Sequence, residues 1–180
     1  MKHIATVALM LNLGVAGIYA QQQPVKMTFS GTLVPSTINL KPDTITDEEN
    51  SAGNGTLGPF TYRELHADLL SPQPSSTCSG LYIPTVAGAG VFRFRDGSLL
   101  TVTIKQGALC IEAPVAHLTL TYQIDPTGGT GRFKGAKGDL TLTAMVSPVL
   151  FNANAPVLLT ITGACTGTVS GVAAEEDRQN

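Results

Sequence analysis

Apolar and polar residues alternate along most of the chain beyond residue 24. A period of two is typical of antiparallel strands that have one face in a core and the other in water. No segment of this region repeats over a convincing length with the period of a helix. The pattern predicts strands at 25–33, 60–69, 92–95, 99–105, 116–124, 139–146, 157–162 and 166–172. Roughly eight strands in about 150 residues predict an all-β domain, a single antiparallel barrel, with a β-sandwich as the alternative.

One of these segments also fits a helix. Within Phe60–Leu69, three side chains fall on one helical stripe (Tyr62, Leu65 and Leu69), and Pro59 suits the first turn of a helix. All the neighbouring segments are predicted strands. The segment is therefore interpreted as a strand.

Two stretches interrupt the alternation and are predicted loops. Residues 35–58 are rich in proline, glycine and acidic side chains, and residues 71–79 hold prolines, serines and threonines. The first stretch is a candidate calcium site, because calcium prefers oxygen ligands. Its spacing does not match a helix–loop–helix calcium site, so a solvated acidic loop is the favoured interpretation. The residues concerned are Asp43, Asp47, Glu48, Glu49 and Asn50.

The first 20 residues have the pattern of a signal peptide. Lys2 and His3 give a positive start, an apolar run covers residues 4–18, and Ala20 precedes a polar segment. The run is shorter than the roughly 20 residues of a membrane-spanning helix, so cleavage is favoured over an anchor. The sequence predicts a secreted or periplasmic protein with a signal peptide at 1–20, a barrel domain at 21–174 and a charged tail at 175–180.

Export sets the expectation for the three cysteines, because disulfides persist in oxidising compartments. One disulfide and one free thiol are expected, and three pairings are possible. A hairpin turn at Asp96-Gly97 would bring Cys78 and Cys110 to the same end of the sheet, which favours that pair. Cys165 is then interpreted as a small buried apolar side chain.

Composition excludes several classes of protein. A hydrophobic fraction of 43% with only 13% charged residues is too apolar for a disordered chain. A net charge of −2 without a dense basic stripe argues against binding to nucleic acid. An outer-membrane barrel would carry an aromatic girdle, whereas only 6% of the residues are aromatic and tryptophan is absent. No membrane span is expected after signal cleavage.

The best candidate for chemistry lies on the strand predicted at 60–69. On one face of this strand, at alternate positions, lie Tyr62, Glu64, His66 and Asp68. Two carboxylates beside an imidazole suit general acid–base catalysis or metal binding, and Tyr62, Glu64 and His66 are the candidate catalytic residues. The favoured alternative is a polar face that contacts solvent.

Other motifs of known chemistry are missing from the sequence. The glycine-rich turn at 128–138 lacks the Gly-Lys-Ser/Thr of a phosphate loop, and no helix is predicted after it. Its glycines instead suit left-handed turn conformations, with Phe133 anchored in the end of the barrel. His117 lies on a threonine-rich face and is expected to be exposed. No nucleophile elbow, paired-cysteine zinc motif or HExxH is found, so no cofactor is predicted.

The segment GGTGRFKGAKGDLTLTA (residues 128–144) resembles a signature of exported bacterial β-barrel proteins of undefined function. Residues 55–64 (GTLGPFTYRE) and 90–103 (GVFRFRDGSLLTVT) are similar to other parts of those proteins. The glycine-rich turn is also similar to one in the allene oxide cyclase and dirigent barrels of plants. The resemblance implies an eight-stranded, calycin-like barrel. The plant families guide ring closure or coupling of small hydrophobic molecules, but none of their catalytic residues matches a position here.

Three functions are compatible with these features. The favoured one is binding of a small hydrophobic molecule, because the inner face is apolar and a barrel of this size has room for one such ligand. The second is a cyclase or isomerase that acts on such a molecule through Glu64, His66 or Tyr62. The third is a structural or surface-interaction domain with a closed core.

Overall fold

The computed structural model describes residues 22–153 and 155–173. These residues form eight strands: β1 (Gln23–Pro35), β2 (Thr44–Gly55), β3 (Phe60–Leu69), β4 (Leu81–Phe94), β5 (Leu99–Glu112), β6 (Val115–Ile124), β7 (Lys137–Asn152) and β8 (Ala155–Ser170). Each strand pairs antiparallel with the next, and β8 pairs with β1, so the sheet closes into a barrel. In these two ranges, no helix is long and apolar enough to cross a membrane. The predicted signal peptide and charged tail lie outside the described residues.

The predicted all-β barrel is confirmed, but the predicted strands were wrong in two places. β2 lies inside residues 35–58, which were predicted to be one long acidic loop. It is hydrogen-bonded to both β1 and β3, and this pairing outweighs the low strand propensity of its Asp, Asn and Gly residues. The segments 157–162 and 166–172 were predicted as separate strands, yet most of both belongs to β8. The two errors cancel in the strand count.

Several local predictions are confirmed. The segment 60–69 is a strand, and residues 71–79 lie in the connection between β3 and β4. Cys78 and Cys110 form a disulfide with their Cα atoms 5.7 Å apart. Asp96-Gly97 lies in the turn that joins β4 to β5, and this turn brings the two cysteines to one end of the barrel. Cys165 is a buried free thiol.

One end of the barrel, which we call the closed end, is filled by side chains. A short 3-10 turn at Gly131–Phe133 lies there, and Phe133 is fully buried, as predicted. The Arg132 guanidinium lies over the rings of Phe94 and Phe133, at 4.9 and 4.6 Å from their centroids. Gly131 and Gly135 have φ angles of 58° and 77°, so the sequence supplies glycine where the turn needs left-handed backbone.

The other end, which we call the mouth, is hollow. It is the end at which β1 joins β2, β3 joins β4, β5 joins β6 and β7 joins β8. The aromatic packing stops below it: Tyr62 stacks on Phe92 with ring centroids 4.2 Å apart, and Phe94 packs on Phe133 at 4.7 Å. Between this packing and the mouth lies a cavity of about 690 Å³.

Candidate functional site

The polar face of β3 points into the barrel. The exposed fractions of Tyr62, Glu64, His66 and Asp68 are between 1% and 3%. The favoured expectation that this face contacts solvent is therefore wrong. The face of β3 that meets water carries Arg63, whose guanidinium pairs with Glu48 of β2 at 3.7 Å.

Gly90 of β4 makes room for one of these side chains, and Gly88 lies beside another. Gly90 is the register partner of Glu64, and Gly88 is the register partner of His66. A Cβ atom on Gly90 would lie 2.4 Å from the hydroxyl oxygen of Tyr62. A Cβ atom on Gly88 would first meet Cδ1 of Ile104, at 2.5 Å, and the backbone oxygen of Leu65, at 2.7 Å. A larger residue at position 90 would overlap the tyrosine. The position of the Tyr62 ring therefore depends on the absence of a side chain at position 90 of β4.

Glu64 is the centre of a buried hydrogen-bond network. The hydroxyls of Tyr62 and Tyr122 both donate to its Oε2 atom, and its Oε1 atom lies 2.8 Å from Nδ1 of His66. The two hydroxyl oxygens lie 3.0 Å apart. Burial, followed by the charge of Glu64, raises the pKa of each tyrosine well above its usual value. Both hydroxyls therefore stay neutral donors at physiological pH.

His66 is held between carboxylates. Its Nε2 atom faces Oδ2 of Asp68 at 3.7 Å, beyond hydrogen-bonding distance. Burial alone would lower the pKa of His66, but the hydrogen bond to Glu64 and the charges of Glu64, Asp68 and Asp47 outweigh it and raise the pKa to about 9. Asp68 is oriented from its other side, because the hydroxyl of Thr85 donates to its Oδ1 atom at 2.6 Å. The imidazole is therefore oriented by Glu64, and the carboxylate of Asp68 is oriented by Thr85.

The strand β2 adds two carboxylates that the sequence placed in a candidate calcium loop and not beside β3. Asp47 is the register partner of His66, and Glu49 is the register partner of Glu64. Glu49 is fully buried, one of its oxygens accepts a hydrogen bond from Ser51, and its Oε2 atom has no partner among the described residues. Burial, followed by the charge of Glu64, raises the pKa of Glu49 to about 7. The alternation of Asp47, Glu49 and Ser51 was the available signal, but it lay in a predicted loop.

The acidic residues of this region do not form the single oxygen-lined loop that the calcium hypothesis requires. Glu49 points into the barrel, whereas Glu48 lies on the outer face, where its carboxylate contacts Arg63 and the amide of Asn50. Asp43 lies in the connection before β2, with a φ of 58°. The strand thus separates the carboxylates onto opposite sides of the wall.

The cavity lies on the mouth side of this cluster, and its wall is almost entirely apolar. Side chains from several strands line it, among them Leu33, Ile83, Leu109, Ile111, Val146 and Leu159. Of the described residues in the lining, Asp47 and Asp68 alone are charged. Both Asp68 and Leu69 belong to the lining, and the register shift beside them leaves Val86 of β4 without a partner on β3. Tyr62, Glu64 and His66 are not part of the lining and lie deeper in the barrel.

The remaining sequence candidates lie elsewhere. His117 is on the outer face of β6 with 54% of its side chain exposed, as expected, and its Nε2 atom is 3.9 Å from Glu112. The disulfide links the connection before β4 to β5. Neither feature contributes to the cavity lining formed by the described residues.

The geometry defines a class of protein, a closed antiparallel barrel that is hollow at one end above a buried group of carboxylates around an imidazole. Comparison of the chain with protein-family models gives no match, and comparison with curated proteins gives none either. The resemblance to exported bacterial barrels and to the plant cyclase and dirigent barrels therefore stays a prediction. The function is argued below from the site itself.

Proposed function

We propose that this protein binds a small, largely apolar molecule in the cavity at its mouth. The observation that carries the proposal is the cavity itself: about 690 Å³, with an apolar wall built from the inward side chains of the barrel. Ligand sites for small molecules commonly have volumes of roughly 300–1,000 Å³ and apolar walls with a few polar groups. A barrel that served only as a rigid scaffold would gain stability from a filled core.

The residues at the rim and at the floor of the cavity indicate which parts of the ligand are apolar and which are polar. At the rim, Ile45, Leu70 and Phe151 line the cavity and are also exposed to solvent. They extend the apolar wall to the surface, as access of an apolar molecule requires. At the floor lie the carboxylates of Asp47 and Asp68. The expected ligand has an apolar body and one polar end that reaches these carboxylates.

We place this activity outside the cytoplasm, in the periplasm or the medium. The support is the disulfide between Cys78 and Cys110, which fits an oxidising compartment, together with the signal-peptide pattern of residues 1–20. An apolar ligand would there be carried through water inside the barrel.

The geometry favours binding over catalysis by the predicted residues. The polar atoms of Tyr62 and Glu64 are engaged with Tyr122, with His66 and with each other. Neither residue lines the cavity, so a bound molecule would meet Asp47 and Asp68 first. A cyclase or isomerase that uses Tyr62, Glu64 and His66 stays a prediction.

A matched pair of variants on β6 tests the binding proposal. Ala116→Phe inserts a ring into the cavity, because Ala116 is a buried residue of the lining. Thr119→Phe inserts the same ring on the exposed outer face of the same strand. With a fluorescent apolar probe such as N-phenylnaphthylamine, we expect one site per chain, at least tenfold weaker binding for Ala116→Phe, and unchanged binding for Thr119→Phe. Absence of probe binding, or equal affinity in all three proteins, would contradict the proposal.

A further inference from the structure

We propose that Asp47, His66 and Asp68 bind one divalent transition-metal ion at the floor of the cavity. This site goes beyond the proposed function, and a bound apolar molecule is not needed to form it. The support comes from four features of the described residues: the positions of the three side chains, the groups that orient them, the charge around them, and their access to the cavity.

The three side chains converge from two paired strands. One ligand atom from each of Asp47, His66 and Asp68 lies within 4.8 Å of the others, and Nε2 of His66 is 3.7 Å from Oδ2 of Asp68. Around a tetrahedral zinc ion with ligands at about 2.1 Å, ligand atoms lie roughly 3.4 Å apart. The pair on β3 is close to this separation already. Asp47 is only partly buried, so its carboxylate has room to complete the set.

Two of the three ligands are oriented by partners of the kind found behind metal ligands. The imidazole uses Nδ1 for Glu64, at 2.8 Å, which leaves Nε2 directed at the two aspartates. The hydroxyl of Thr85 bonds Oδ1 of Asp68, which leaves Oδ2 facing the same point. A histidine ligand usually has its other ring nitrogen on a carboxylate, and ligating carboxylates are themselves hydrogen-bonded.

Carboxylates outnumber basic groups in this part of the barrel. Four carboxylates (Asp47, Glu49, Glu64 and Asp68) surround one imidazole. Among the described residues, the most buried Lys or Arg side chain is Arg132, which lies at the closed end of the barrel over Phe94 and Phe133. Buried charge is costly unless it is compensated. A second, independent observation is the Oε2 atom of the fully buried Glu49, at the next inward position of β2 after Asp47, which has no hydrogen-bond partner among the described residues.

The donor set selects the type of ion. Imidazole nitrogen suits zinc, iron, cobalt or nickel, whereas magnesium and calcium prefer oxygen ligands alone. Because Asp47 and Asp68 line the cavity, positions not filled by protein would face it. Water or an oxygen atom at the polar end of a bound molecule would occupy them.

Cobalt and zinc titrations of the chelator-treated full chain test the site. We expect one Zn²⁺ or Co²⁺ per chain by elemental analysis, with Co²⁺ giving a visible absorption band that Zn²⁺ abolishes. Asp68→Asn and His66→Gln are each expected to weaken binding at least 100-fold. Thr85→Val removes only the group behind Asp68 and is expected to weaken it roughly 10-fold to 100-fold. Near-UV circular dichroism checks that each variant is folded.

Two variants on the outer face serve as controls. Glu48→Gln removes a carboxylate from the same strand as Asp47, and His117→Gln removes the exposed histidine; both should keep the stoichiometry and the affinity. The proposal is overturned if the wild-type chain binds neither ion at micromolar concentration. It is also overturned if folded Asp68→Asn binds as tightly as wild type, if His117→Gln abolishes binding, or if native mass spectrometry finds an organic amine at this site in place of a metal. The Ala116→Phe variant separates the two proposals, since it should still bind metal while losing the apolar probe.

Discussion

Glu64→Leu removes the acceptor of three buried hydrogen bonds while keeping a side chain of similar size. Tyr62, Tyr122 and Nδ1 of His66 all lose their partner. The two hydroxyl oxygens are 3.0 Å apart, so one tyrosine can donate to the other. One hydroxyl and the imidazole nitrogen are then left without a partner. Each unsatisfied buried group costs about 1–3 kcal/mol, so the free energy of unfolding should fall by about 2–6 kcal/mol.

A double-mutant cycle separates the hydrogen bond from general damage to packing. Tyr122→Phe alone should cost about 1.5–3 kcal/mol, the range for a hydrogen bond to a charged group. In the Glu64→Leu background the same change should cost nearly nothing, because the hydroxyl no longer has an acidic partner. The expected coupling energy is therefore about 1.5–3 kcal/mol.

Urea unfolding followed by far-UV circular dichroism measures all four proteins of the cycle. Tyr82→Phe is the matched control, because Tyr82 lies on β4 outside the buried network, and its effect should stay within about 0.5 kcal/mol. If the effects of Glu64→Leu and Tyr122→Phe add to within about 0.5 kcal/mol, Glu64 is not the centre of the network and the reasoning fails.

Three further outcomes are expected. Gly90→Ala would place a Cβ atom 2.4 Å from the hydroxyl of Tyr62, so we expect a loss of about 1–3 kcal/mol in urea unfolding; an unchanged midpoint would contradict the close approach. Replacing Cys78 and Cys110 together by Ser opens a link across a sequence separation of 32 residues, and the chain-entropy relation gives a loss of about 3–4 kcal/mol in the same assay; a loss below about 1 kcal/mol would count against it. Cys165 is fully buried and burial raises its pKa to about 12, so iodoacetamide at pH 8 should label it only after unfolding in urea, and rapid labelling of the folded protein would refute this.

Alternation predicts which residues form strands more reliably than which face of a strand is inside. For β3, the residues and the shared face of Tyr62, Glu64, His66 and Asp68 follow from a period of two. Isolated charges rarely enter a core, so the pattern alone favours solvent for this face. Inside the barrel these side chains are partners for one another, and Gly90 on the adjacent strand leaves space for them. These contacts depend on the register between neighbouring strands. The sequence of one strand does not specify that register.

β2 shows a different limit. Asp, Asn and Gly are typical of loops, and they supply six of the thirteen residues at 43–55. The length of the predicted loop was itself a warning, because structureless connections of more than about 15 residues are uncommon in compact domains. If the segment is interpreted as a strand paired with β3, alternation places Asp47 and Glu49 on one face, and this face can be matched to the polar face of β3. The cavity could not be predicted in the same way, since its volume depends on where the aromatic side chains stop.

The pairing of β1 with β8 means that the first and last strands of the domain depend on each other. Until β8 is in place, β1 has a free hydrogen-bonding edge, and so does β7. Contacts so far apart in sequence form slowly, and an open edge invites pairing with another chain. The protein is therefore most prone to aggregate during folding, before β8 has paired with β1. A substitution that slows this pairing should increase aggregation before it lowers the free energy of unfolding.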